Sequence, residues 1–149
     1  MKPWTGPIEI GLYRLGMRFV QLVGVPGTGN GSVDFLPQDK GVPVIKVGLA
    51  VPWEEAIGVL LHEAFEASFI DLNTRFQTNP AYSGESSDYV FVMSHNQFSE
   101  AAERVGDFVK HALPAFSVVY RAHEKKRLTL QREKKALEQR LLKNKKQIG

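Results

Sequence analysis

Residues 51–76, VPWEEAIGVLLHEAFEASFIDLNTRF, constrain the fold more than any other stretch of the chain. They read as one long helix. Pro52 suits a first helical turn, Glu54 and Glu55 sit where the helix dipole favours negative charge, and Arg75 lies near the opposite end. At 100° per residue, Ile57, Leu60, Leu61, Ala64, Phe65, Ser68 and Leu72 form one broad stripe expected to face the core. The other side mixes Glu55, His62, Glu63, Glu66 and Asp71 with Val59, Phe69 and Ile70, which predicts a half-covered cleft and a helix buried on both sides.

Within it, His62-Glu63-Ala64-Phe65-Glu66 forms an HExxE pattern. Residues four apart project from the same side of a helix, so His62 and Glu66 can hold one metal ion together. Glu63, beside them, is placed to orient or deprotonate an attacking water. The bland alternative is a His on the border of a polar face and Glu residues that are simply solvated.

The strand-like run at 42–50 (VPVIKVGLA) followed by PWEEAIGVLLHEAFEA resembles the strand-then-helix entry of small zincin-type metallopeptidase domains. In that family the two His of HExxH bind zinc and the Glu between them is the general base. The resemblance spans residues 42–73, about a fifth of the chain by motif and context. It implies zinc as cofactor, His62 and Glu66 as ligands and Glu63 as catalytic base. Here Glu66 stands where the family has its second His.

The rest of the chain is organised around this helix. Residues 8–16 and 17–25 carry apolar, β-branched and aromatic runs that read as strands turning at Gly16, although the first also admits a short helix. Residues 24–31, GVPGTGNG, lack the Lys-Ser/Thr of a phosphate loop and read as a loop bordering the cleft. A short strand at 32–37 and a convincing one at 42–50 complete a small sheet, antiparallel or mixed, packed on the central helix. The class is α+β. Beyond a polar loop at 77–88, residues 89–93 (YVFVM) read as a buried strand. Ser94-x-x-Gln97 has the spacing of a capping box and opens a second amphipathic helix at 96–113, with Pro114 as its stop. His95 lies at that helix N-terminus, a position where a dipole favours the neutral imidazole that a metal needs. It is the candidate third ligand, a capping or surface role being the alternative. His111 and His123 read as solvated.

Charge divides the chain in two. Residues 121–149 hold eleven Lys and Arg against three Glu, leaving −5 on the first 120 residues within a total of +3. The expected organisation is a compact α+β domain at 1–120 and a basic helical extension at 121–149, where Leu130, Leu137, Leu141 and Ile148 make an imperfect coiled-coil seam interrupted by Lys134. No cysteine and no membrane-spanning apolar run occur, and a cytoplasmic setting with no membrane partner is expected.

Two function classes follow. One is a non-catalytic accessory or inhibitor protein that binds a protein partner, resembling those of phages and other mobile elements. The other is a zinc-dependent hydrolase using His62, Glu63 and Glu66. Weak nucleic-acid binding through residues 121–149 is a third possibility, opposed by the acidic body and by a tail without aromatic residues to stack on bases.

Overall fold

The structure, a computed structural model, describes residues 6–34, 41–77 and 89–148. Its elements are β1 (Ile8–Leu15), β2 (Arg18–Val25), β3 (Gly31–Asp34), β4 (Val44–Gly48), α1 (Trp53–Asp71), β5 (Arg75–Gln77), β6 (Tyr89–Phe91) and α2 (His95–Ile148). The class is α+β. A four-stranded mixed sheet in the order β1-β2-β4-β3 pairs β1 with β2 and β3 with β4 antiparallel, and β2 with β4 parallel. The strand 32–37 is represented by β3, its residues 35–37 lying outside the described residues along with 38–40 and with 78–88 of the polar loop.

Both helices lie against this sheet, α1 along β3 and β4, α2 along β1 and β2. Leu15, Val20, Leu22, Ile45, Val47 and Leu49 meet Leu60 of α1 and Val105, Phe108, Phe116 and Tyr120 of α2 in one core. Each fully buried side chain of this size stabilises the fold by about 1.5–3 kcal/mol. Trp53 fastens the start of α1 to α2, with its ring 5.8 Å from Phe116 and 5.0 Å from Tyr120. The Tyr120 hydroxyl donates to the Val51 carbonyl at 2.7 Å. No helix among the described residues is long and apolar enough to cross a membrane.

Three expectations are corrected. The helix does not stop at Pro114: the second amphipathic helix and the basic extension form the single helix α2. Proline removes one backbone bond and typically costs about 3 kcal/mol in a helix interior. Pro114 and Lys110 are exposed, so the freed carbonyl lies on the water-facing side, while Ala112, Phe116 and Tyr120 on the opposite side hold both halves on the body. The strand at 89–93 is not buried: Val90, Phe91 and Val92 are exposed. Among the described residues it pairs only with β5, in a two-stranded ribbon apart from the main sheet. Helix α1 is buried on one side only, with Glu54, Glu55, Gly58 and His62 exposed.

The buried side of α1 is also rotated from the apolar stripe. Ala56, Leu60, Glu63, Ala64, Ala67 and Ser68 face inward, while Ile57, Leu61 and Phe65 are half-buried. Three alanines let the helix lie close to the sheet, and Glu63 is carried inward with them. The capping box is present: the Ser94 amide donates to Gln97 Oε1 at 2.8 Å, and the Gln97 amide donates to Ser94 Oγ at 3.2 Å.

Candidate metal centre

The third and fourth turns of α1 supply the candidate donors. One ligand atom each from His62, Glu63 and Glu66 lies within 4.8 Å of the others, the one such group of three among the described residues. His62 Nε2 stands 3.6 Å from Glu66 Oε2. That is beyond hydrogen-bond reach, but close to the ~3.4 Å that two donors hold around one tetrahedral zinc at ~2.1 Å each. Glu63 completes the group at spacings of up to 4.8 Å, wider than two donors of one tetrahedral zinc, which places it beside the His62–Glu66 pair. One imidazole nitrogen with carboxylate oxygens is a donor set that zinc accepts. The residues fit such an ion.

The end of α1 sets Glu66. Asn73 adopts a left-handed conformation with φ 55°, and the Thr74 amide returns to the Phe69 carbonyl at 2.9 Å. This reversal sends the chain into β5 and brings Arg75 back over the helix, where Nη1 donates to Glu66 Oε1 at 2.9 Å. One Glu66 oxygen is thereby held by a guanidinium, and the other is left on the His62 side. Such support fixes the orientation of a ligating carboxylate.

Glu63 differs from its neighbours. It is 6% exposed, whereas the His62 side chain is 72% exposed. Burial pushes the Glu63 carboxyl above its usual range and the nearby Glu66 charge adds to the effect, with His62 and Arg75 opposing it. Its cover is β3. A Cβ on Gly31 would meet the Val59 side chain and would lie 2.7 Å from Glu63 Oε1, so only a residue without a side chain lets this strand cross the helix here. Because β3 ends the sheet order, its outer edge has no strand partner among the described residues.

Compared with protein-family models, curated proteins and solved structures, the chain matches none.

His95 is not among the converging donors. It is the first residue of α2 and is exposed. Asp71, read with the polar side of α1, has a structural part: it accepts from Arg18 Nε and Arg104 Nη1, both at 2.6 Å, and so ties α1 to β2 and α2. His111 is exposed, its Nδ1 2.8 Å from the Asp107 carbonyl. His123 is half-buried rather than solvated, and burial lowers its pKa, with Arg127 contributing and the Leu49 backbone opposing.

Sequence reasoning missed Arg75 as the partner of Glu66 and Gly31 as the cover of Glu63. Asn73 ahead of Arg75 was a turn signal for the first. The second depends on a sheet register that no local pattern carries.

Proposed function

We propose that this chain binds a divalent cation, zinc by the chemistry of its donors, between His62 and Glu66 with Glu63 beside it, and that the site serves a hydrolytic reaction. The observation that supports it best is the convergence of these three side chains around a nearly buried Glu63 beneath the last strand of the sheet. When bound, zinc supplies a Lewis acid that polarises a carbonyl and makes water more acidic. His62 and Glu66 hold, with Arg75 keeping the Glu66 carboxylate oriented. Glu63 accepts a proton from the attacking water and returns it to the leaving group; a partly desolvated carboxylate suits both steps better than a solvated one. Among the described residues β3 is the last strand of the sheet, the kind of position at which an extended peptide adds, which favours a peptide as the substrate class.

Purified full-length protein should carry about one zinc per chain by elemental analysis. His62→Ala should remove it. Glu63→Gln should retain metal, since both ligands His62 and Glu66 persist, and abolish hydrolysis of an unfolded polypeptide. Metal-free protein whose melting temperature responds to neither zinc nor chelator would overturn the reading.

A second reading keeps the scaffold without the chemistry, as an accessory or inhibitor protein. Phe76, Val90, Phe91, Val92 and Phe98 are exposed around the β5–β6 ribbon and the start of α2, an apolar surface of the kind that partners cover. This reading expects no stoichiometric metal and no effect of Glu63→Gln on partner affinity.

A further inference from the structure

Beyond its contacts with the body, α2 continues as a free rod. The stripe of Ala101, Val105, Phe108, Ala112, Phe116 and Tyr120 packs on the sheet and α1, and Arg127 Nη1 makes a last backbone contact to the Ala50 carbonyl at 3.4 Å. From Leu128 to Asn144 every residue is exposed. At 100° per residue, Leu130, Leu137 and Leu141 continue the buried stripe, while Arg121, Lys125, Arg132, Lys135 and Lys143 fall within an arc of about 80° on the opposite side. All five are exposed. The acidic residues of this segment, Glu124, Glu133 and Glu138, lie outside that arc, with Glu124 along its border, while Leu128 falls within it.

We propose that this basic side of α2 is a docking surface for the phosphate backbone of duplex nucleic acid. Arg121 to Lys143 spans ~33 Å of helix at 1.5 Å per residue, the length of about ten base pairs. The outer part of this side clears the acidic body, while Arg121 and Lys125 lie beside it. Lys135 and Lys143 stand about 12 and 24 Å along the helix from Arg127, beyond the ~8 Å over which salt screens charges at physiological ionic strength. A single-stranded ligand fits less well, because residues 121–148 contain no aromatic side chain to stack on bases. A membrane surface fits less well too. An interfacial helix sinks its apolar side between flanking basic residues and uses aromatic anchors; here the basic side is opposite the leucines, and Lys134 interrupts them.

The test is fluorescence anisotropy of a labelled 20-base-pair DNA of mixed sequence, titrated with the full chain at several salt concentrations. Five phosphate contacts give a log–log salt slope of about −4.5, hence an affinity about 500-fold weaker at 200 mM than at 50 mM salt. Neutralising Arg132→Gln, Lys135→Gln and Lys143→Gln together keeps helix propensity and should reduce the slope by about 2.7, with the far-UV circular dichroism unchanged. A weakened slope in a helical variant supports the surface. No binding at 50 mM salt, a slope untouched by the triple variant, or tighter binding to vesicles containing phosphatidylserine than to the duplex would overturn it.

Discussion

Gly31→Ala isolates the closure of β3 over α1. The residue is not at positive φ, so the backbone tolerates alanine and the whole penalty lies in what the new methyl meets. Its Cβ would overlap the Val59 side chain and lie 2.7 Å from Glu63 Oε1 and 2.8 Å from Glu63 Cγ. Forcing a methyl into such a contact costs about 1–3 kcal/mol. Against this, replacing glycine restricts the unfolded chain and returns about 0.4–1 kcal/mol. Contact wins, and the net loss is about 1–2 kcal/mol. For a chain of this size that lowers the melting temperature by roughly 2–8 °C, read by circular dichroism on protein held in chelator. Val59→Ala removes one of the two obstacles, so Gly31→Ala should cost less in that background, with a coupling of at least about 0.5 kcal/mol across the double-mutant cycle. A Gly31→Ala protein as stable as the parent, or equally destabilised in both backgrounds, would refute the close crossing and with it the burial of Glu63.

Two further outcomes follow from the same geometry. In metal-free protein the raised Glu63 pKa means that the folded state holds its proton more tightly than the unfolded chain. Stability from this group is therefore full below the ordinary carboxylate pKa and is lost as pH rises through the folded value; Glu63→Gln should flatten that decline in urea titrations from pH 4 to 8 and be the more stable protein at neutral pH. Pro114→Ala should raise stability by up to about 3 kcal/mol by restoring the bond to the Lys110 carbonyl, provided the packing of α2 needs no kink there; an unchanged urea midpoint would show that the helix is shaped around the proline.

The strands and the start of α2 were legible because their signals are local. Alternating runs around Gly16 gave β1 and β2, and Ser94 with Gln97 gave the cap. The length of α2 was misread because Pro114 counts as a breaker in any sequence, whereas here it faces water and the buried residues before and after it share one surface. The stripe of α1 was misread for a related reason. Apolar periodicity weighs Ile57, Leu61 and Phe65 heavily and Ala56 and Ala67 lightly, yet close approach to a sheet selects the small residues. That choice turned Glu63 inward. His62, Glu63 and Glu66 were found from spacing alone, since i and i+4 fix their relation within one helix. Arg75 and Gly31 reach the site through a turn and a sheet edge, and His95 was assigned by its own surroundings with no means of measuring its distance from α1.

A buried carboxylate weighs against a fold unless something returns the loss. At Glu63 the attraction of His62 and Arg75 is outweighed by desolvation and by the charge of Glu66, so the ionised form is disfavoured. Arg75 relieves it only in part, because its Nη1 is engaged with Glu66. A glutamine of the same shape would fill the space between α1 and Gly31 without that charge, and packing alone would favour it. Two partners remove the conflict. A proton does so at the expense of the base, and a cation among His62, Glu63 and Glu66 does so while keeping the carboxylate ionised. Groups held in such an environment, beside a histidine and a second carboxylate, are found where proton transfer or ligation is performed. The energetic disadvantage of Glu63 is thus itself an argument for the site, independent of the HExxE spacing that first drew attention to it.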